Sequence, residues 1–196
     1  MKQHQATACN IFLVGVGGQG IVLASSILAT LAFNKGLDVK QNEVHGLSQR
    51  GGSVTGIVRW GAKVFTPVIM EGEAHFLFAM EQLEALRWAH YVRPDGVIIA
   101  DECKILPASV MAGGETYPKD ISAQLAQFAR VCLTPGAQIA KELGNSRIAN
   151  MALIGALSRF LPEFEAKEWH AAIAAHVKEK YLAINLSAFQ KGAKQV

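Results

Sequence analysis

A glycine-rich turn between an apolar run and a helical pattern constrains the fold of this chain more than any other feature. Residues 10–15 are a short apolar run typical of a buried parallel strand. The turn Gly15-Val16-Gly17-Gly18-Gln19-Gly20 follows, and Ile21–Asn34 then repeats apolar residues at helical spacing up to a stop at Lys35-Gly36. A strand, a glycine turn and a helix in this order predict the start of an α/β domain.

The rest of the sequence continues this alternation. Strands are predicted at 37–44, 53–60, 74–80, 97–101 and 130–134, with a hairpin strand at 63–65 and a turn at 93–96. Helices are predicted at 81–91, 120–129, 136–143, 148–161 and 162–181, with a short tail helix at 187–192. This pattern predicts a Rossmann-like, doubly wound α/β fold with a mostly parallel sheet and a helical C-terminal section. The 196 residues suit a single domain spanning 1–196.

Charge and cysteine usage argue against several classes of protein. The formal net charge is +3 with scattered basic residues, so nucleic acid is not an expected partner. Cys9, Cys103 and Cys132 are far apart, so neither a disulfide framework nor a zinc or iron-sulfur site is predicted. The longest apolar run, 21–33, is shorter than the roughly 20 residues that a bilayer needs, and the first residues make a poor signal peptide. We therefore expect a cytoplasmic chain without a membrane span.

The glycine turn is the first candidate site. A helix start presents unpaired N–H groups that suit an anion such as phosphate, and the candidate contacts are Gly15, Gly17, Gly18, Gln19 and Gly20. A conventional dinucleotide site also needs an acidic residue at the end of the second strand, where Glu43 is the candidate. Two interpretations stay open at this point: a nucleotide-type phosphate site, or a glycine turn required for close packing of strand and helix.

The second candidate site is the polar loop after the second predicted strand. Its candidate residues are His45, Ser48, Gln49, Arg50, Gly51 and Gly52. A serine hydrolase elbow is not predicted, because that motif needs glycine where Arg50 stands. An imidazole, a guanidinium and several backbone N–H groups suit an anion or the carboxylates of a partner. The alternative is a solvated turn with Arg50 in a local ion pair. Since loops that follow parallel strands gather at one edge of a sheet, we expect Arg50 beside the glycine turn.

A third group, Glu81, Glu84 and Arg87, shares one face of a predicted helix. No histidine or metal-ligand spacing accompanies these residues. The pattern favours a solvated or subunit-facing surface over paired catalytic carboxylates.

Taken together, the glycine turn, residues 43–54 and residues 80–87 resemble the gamma-type domain of the pyruvate and other 2-oxoacid:ferredoxin oxidoreductases. The similarity is greatest to the small (beta) subunits of the indolepyruvate type. Residues 142–145, Asn150 and residues 185–192 also fit, so the resemblance spans nearly the whole chain. Residues 43–54 are its most specific element.

The resemblance implies a subunit that is inactive alone. Enzymes of this family decarboxylate a 2-oxoacid oxidatively to an acyl-CoA and CO2, with thiamine diphosphate, and pass electrons through [4Fe-4S] clusters to ferredoxin. The sequence has neither cluster ligands nor the Gly-Asp-Gly and Asn-Asn signature of the thiamine site. The resemblance therefore places thiamine diphosphate, Mg and the clusters on a large partner subunit. It implies that this chain holds no cofactor by itself, completes the active site and contributes to coenzyme A binding at the interface. The chemistry of the two glycine-bearing loops, and not the resemblance, makes them the candidates for that contact, since phosphates prefer backbone N–H groups and a guanidinium.

Two other functions remain open from the sequence. One is a free-standing NAD- or FAD-binding Rossmann oxidoreductase, which a missing substrate domain and a missing acid/base pair disfavour. The other is a pure assembly module whose glycine turn binds nothing. An isolated subunit with an exposed partner surface is also a candidate for a homodimer. Neither a catalytic residue nor a metal ligand is predicted.

Overall fold

The computed structural model describes residues 8–45 and 52–196. Its strands are β1 (Cys9–Val16), β2 (Asp38–His45), β3 (Ser53–Gly61), β4 (Ala74–Ala79), β5 (Val92–Asp101) and β6 (Arg130–Thr134). Its α-helices are α1 (Ile21–Asn34), α2 (Gln82–Trp88), α3 (Ala108–Met111), α4 (Ile121–Leu125), α5 (Gly136–Glu142), α6 (Ala149–Ser158), α7 (Ala166–His176) and α8 (Glu179–Ala193). Short 3₁₀ turns follow α2 at Ala89–Tyr91 and precede α6 at Ser146–Ile148.

The described strands form one sheet in the order β2-β3-β1-β4-β5-β6. β1, β4, β5 and β6 pair in parallel, whereas β3 is antiparallel to both β1 and β2. β3 is thus the one described strand that opposes the rest, and the other five share a carboxyl edge. The predicted Rossmann-like, mostly parallel sheet is confirmed.

The central strand β1 is buried on both of its faces. Ile11 and Leu13 pack under α1 and α6, whereas Phe12 and Val14 face the layer that contains α2 and α4. All four side chains are at most 4% exposed. Because successive side chains of a strand point to opposite faces, a strand covered on both sides must be apolar throughout. This explains the uninterrupted apolar run that predicts β1.

Two local predictions around the sheet are wrong. No hairpin strand forms at 63–65, because both edges of β3 are already paired, one with β1 and the other with β2. The turn at 93–96 is instead part of β5. Ala74 pairs with Val92 and Phe76 with Val97, so residues 93–96 form a bulge opposite a single residue of β4.

The helix bounds also differ from the prediction. The single helix expected at 162–181 is divided, because Val177 is extended, so that α7 ends at His176 and α8 begins at Glu179. The helix expected at 120–129 is limited to α4, Ile121–Leu125. The short tail helix expected at 187–192 extends over Glu179–Ala193. α8 is long because it packs closely along α6, where Gly155 and Gly192 allow the two backbones to touch. Such packing between distant segments is not a local sequence signal.

Candidate functional site

The glycine turn lies where the chain connections change sides of the sheet. α1, which follows β1, packs on one face, and α2, which follows β4, packs on the other. β1 and β4 are neighbours in the sheet. In open α/β sheets this arrangement leaves a crevice at the carboxyl edge, and ligands bind there.

Gln19 spans this crevice with its side-chain amide. Its Oε1 accepts a hydrogen bond from the Val16 N–H at 2.7 Å, and its Nε2 donates to the Met80 carbonyl oxygen at 2.8 Å. The end of β1 is therefore tied to the end of β4. Gln19 is in this respect a structural member of the turn.

Packing disfavours a side chain at two of the turn glycines. A Cβ on Gly15 would lie 3.0 Å from the Cβ of Met80, and a Cβ on Gly20 would lie 2.5 Å from Nδ2 of Asn150. Gly18 has open space around it but a φ of +97°, which favours glycine. Gly20 is also the N-cap of α1 and offers no side-chain acceptor to the first amides of that helix. The turn thus combines close packing with a helix start suited to an anion.

The second candidate loop falls largely outside the described residues. These exclude residues 46–51, and with them Ser48, Gln49, Arg50 and Gly51, as well as the side chain of His45. The two ends of the loop are described. The Gly17 N–H donates to the Gly52 carbonyl oxygen at 2.9 Å. On the other side, β2 ends level with the glycine turn, because His45 pairs with Val54 and Val54 with Gly15. The contacts of Arg50 itself stay a prediction.

The carboxylate of Glu43 accepts hydrogen bonds from side chains of the same chain. Its Oε1 accepts hydrogen bonds from Ser25 Oγ at 2.6 Å and from Gln41 Nε2 at 2.9 Å. Glu43 lies on β2, and β3 separates this strand from β1. In a conventional dinucleotide site the second strand is adjacent to the first, so its acidic residue lies beside the glycine turn. Here Glu43 is one strand further away.

The prediction that Glu81 and Glu84 form a solvated or subunit-facing surface is wrong, because they are 1% and 5% exposed. Glu81 Oε1 accepts from Tyr117 Oη at 2.6 Å and from the Ile105 N–H at 3.1 Å. Burial and this bond raise the pKa of Tyr117, which keeps its hydroxyl a donor. Glu84 Oε2 accepts from Ser53 Oγ at 2.5 Å. Glu81 therefore anchors the segment that follows β5, and Glu84 anchors the first residue of β3.

The sequence prediction missed Asp101, which ends β5 at the same edge. Its side chain is 1% exposed, and its Oδ1 accepts from the N–H groups of Cys103 at 3.2 Å and Ala137 at 3.3 Å. Oδ2 has no partner among the described residues. Burial raises the pKa of Asp101 to about 6. A carboxyl group directly after a buried apolar strand is the sequence signal that indicates such a residue.

The cysteines and other metal-binding side chains form no metal centre in the part of the chain that the structure describes. Cys9, Cys103 and Cys132 are free thiols. Residues 8–45 and 52–196 contain no group of three His, Cys, Asp or Glu side chains arranged to hold a metal ion. Across the same residues, every helix is too short or too polar to cross a bilayer.

Family models connect this geometry to known proteins. The model described as pyruvate ferredoxin/flavodoxin oxidoreductase matches residues 10–195, which include the glycine turn, the sheet and the C-terminal helices. This chain belongs to that oxidoreductase family. The resemblance inferred from the three sequence segments is confirmed.

Curated relatives of this oxidoreductase chain are subunits of larger enzymes. It is 37% identical over 190 residues to indolepyruvate oxidoreductase subunit IorB of Archaeoglobus fulgidus, covering 95% of this chain and 94% of that protein. It is 35% identical over 199 residues to the same subunit of Thermococcus kodakarensis, covering 94% of each. The chain is thus a subunit of a 2-oxoacid:ferredoxin oxidoreductase. A free-standing NAD- or FAD-binding enzyme is no longer supported.

Solved structures share the fold of this oxidoreductase subunit. The gamma subunit of a keto/oxoacid ferredoxin oxidoreductase from Geobacter sulfurreducens matches with a TM-score of 0.70 and 21% identity, over 95% of this chain and 97% of that one. 2-Oxoglutarate:ferredoxin oxidoreductase from Magnetococcus marinus matches with a TM-score of 0.74 and 22% identity, over 96% of this chain and 31% of that one. The latter structure contains 2-oxoglutarate, coenzyme A and succinyl-CoA.

Proposed function

We propose that this chain is the small, non-redox subunit of an indolepyruvate or aryl pyruvate:ferredoxin oxidoreductase that makes acyl-CoA and CO2. The observation that carries the proposal is the near full-length match to the indolepyruvate oxidoreductase subunits, at 35% and 37% identity. Thiamine diphosphate, Mg and the [4Fe-4S] clusters belong to a large partner subunit, and ferredoxin receives the electrons from the assembled enzyme. The widely spaced cysteines of this sequence favour that division. A cytoplasmic location accords with its free thiols.

The contribution of this subunit is to complete the active site and to bind part of coenzyme A. The positions of these segments in the fold support this role. The glycine turn, the start of α1 and both ends of the 46–51 loop lie together at the carboxyl edge of the sheet. Backbone N–H groups at a helix start and a guanidinium are the groups that phosphates prefer. Arg50 is the side chain of the loop with the strongest claim to this role.

Replacement of Arg50 by alanine tests the site. A charge-assisted contact contributes roughly 1.5 to 3 kcal/mol, so Arg50→Ala should weaken coenzyme A binding or subunit assembly by about tenfold or more. The enzyme is reconstituted from this chain and the large subunit. The apparent coenzyme A affinity is then measured from ferredoxin reduction with indolepyruvate, and the assembly constant by analytical ultracentrifugation.

Arg159→Ala is the matched control, because Arg159 is an exposed arginine at the end of α6. It should change neither quantity. If Arg50→Ala also leaves both unchanged, the 46–51 loop is not part of the site. Copurification of the native chain with its partner, followed by mass spectrometry, identifies the large subunit independently of this result.

A further inference from the structure

A cavity of about 560 Å³ lies between elements of the helical layer. It is bordered by Leu23 in the first turn of α1, by the connection between α5 and α6, and by the junction of α7 and α8. None of its lining residues belongs to the glycine turn or to the 46–51 loop. Its volume is within the range of about 300 to 1,000 Å³ that is typical of small-molecule sites, and is larger than a bare inorganic anion needs.

The charge of this cavity is uniformly positive. Arg147, Lys178 and Lys180 line it, and no Asp or Glu does. Within the described residues, none of these three cations forms an ion pair with a carboxylate. Cations gathered around one concave surface without a counter-charge create a local positive potential that favours an anion. A guanidinium beside ammonium groups suits the oxygens of a phosphate in particular.

The remaining wall of the cavity is apolar and aromatic. Leu23, Ile148 and Val177 contribute aliphatic surface, and Tyr181 contributes a ring with the Lys180 ammonium 4.8 Å from its centroid. Inorganic phosphate would leave this surface unused. A ligand that uses both parts of the cavity carries a phosphate on a body with a flat apolar group.

Two hydrogen bonds order elements that border the cavity. The Arg147 N–H donates to Oδ1 of Asn145 at 3.1 Å, which caps the 3₁₀ turn before α6. Nε2 of His176 lies 2.7 Å from Oγ1 of Thr30, which joins the end of α7 to α1. These contacts within the chain position the end of α7 against α1 and cap the turn before α6.

We propose that this cavity binds an organic phosphate of the size of a mononucleotide. Arg147, Lys178 and Lys180 contact the phosphate, and the ring of Tyr181 packs against the flat part of the ligand. This site is additional to the proposed coenzyme A contacts, which rest on other residues.

Calorimetry of the full-length chain at low ionic strength tests the proposal, with AMP and inorganic phosphate as probes. AMP should bind at least about tenfold more tightly than phosphate, and Arg147→Gln and Lys178→Gln should each weaken AMP binding about tenfold. Tyr181→Ala should weaken AMP binding and leave phosphate binding unchanged. Lys119→Gln is the matched control, because Lys119 is exposed and does not line the cavity. Thermal unfolding of each variant verifies that it is folded.

Three outcomes would overturn the proposal. The absence of any heat of AMP binding at millimolar concentration, in a folded wild-type chain, would exclude the site. Equal affinities for AMP and inorganic phosphate would remove the role of the apolar wall. Unchanged AMP binding in Arg147→Gln and Lys178→Gln would place the ligand elsewhere. Because the large subunit takes no part, these results are independent of the Arg50 experiment.

Discussion

Asp101 is a buried carboxyl group whose ionisation opposes folding. Its pKa rises from 3.8 to about 6, because burial disfavours the carboxylate more than the N–H donors of Cys103 and Ala137 favour it. The folded protein therefore binds this proton more tightly than the unfolded chain. The stabilisation that the proton provides is complete below the unfolded pKa and is lost as the pH rises through about 6.

Asp101→Asn should remove this pH dependence, because an amide keeps an acceptor for both N–H groups and carries no charge. A pKa of about 6 in place of 3.8 corresponds to about 3 kcal/mol, so the variant should gain up to that amount relative to wild type between about pH 4 and pH 7. Urea denaturation across this range measures the difference. The exposed Asp120, replaced by Asn, is the control. Parallel stability curves for Asp101→Asn and wild type would contradict the interpretation.

The glycine turn offers a comparison between two residues with the same backbone requirement. Gly18 and Gly20 have φ values of +97° and +82°, but a Cβ would meet open space at Gly18 and Asn150 at Gly20. Gly18→Ala should cost about 1 to 2 kcal/mol of backbone strain. Gly20→Ala should cost about 1 to 3 kcal/mol more, because Asn150 must move and its bond to the Gly20 carbonyl oxygen is disturbed. Equal losses in chemical denaturation would show that packing against Asn150 does not matter.

At the scale of elements, α6 and α8 are held at a separation that only glycine permits. A Cβ on Gly155 would lie 2.0 Å from the Phe189 carbonyl oxygen, and a Cβ on Gly192 would lie 1.8 Å from the Ala152 carbonyl oxygen. Both contacts are with backbone atoms, which cannot rotate away as a side chain does. The two helices must therefore separate to accept any larger residue.

Gly192→Ala tests this packing, because helix propensity and overpacking change the free energy of unfolding in opposite directions. Helix propensity alone would stabilise α8 by about 1 kcal/mol, whereas overpacking against α6 should reverse this into a loss of about 1 to 3 kcal/mol. Ala183→Gly, on the exposed side of α8, is the control and should lose about 1 kcal/mol. Denaturation measures stability, and limited proteolysis reports release of α8. A more stable Gly192→Ala protein would contradict the close approach.

At the scale of the whole molecule, this chain is one subunit of an oxidoreductase, and its isolated form should be inactive. The purified chain should be colourless and should not reduce ferredoxin or a viologen with indolepyruvate, because its sequence provides no cluster ligands and no thiamine signature. Addition of the large subunit should restore activity. Visible spectroscopy and a viologen assay make the measurement. Reduction by this chain alone would overturn the assignment of the redox cofactors to the partner.

Elements whose signals are local could be predicted from the sequence closely. α1 and β6 have their predicted bounds, because helical spacing with a glycine stop and a short apolar run after a helix are properties of contiguous residues. The family could also be inferred, since its most specific segment, 43–54, is contiguous. Only part of the candidate site could be predicted from the sequence. That Gln19 contacts a ligand stays a prediction, and its hydrogen bonds to Val16 and the distant Met80 could not be inferred from the sequence.

The sequence by itself determined the apolar runs, the helix stops, the glycine turn and the family. Tertiary structure alone decided that β3 inserts between β1 and β2, because strand order follows from pairing between segments far apart in the chain. It also decided that Glu81, Glu84 and Asp101 are buried, since burial depends on what packs over a residue and not on its neighbours in sequence. The cationic cavity arises in the same way, from α1, the α5–α6 connection and the α7–α8 junction brought together by the packing of the helical layer.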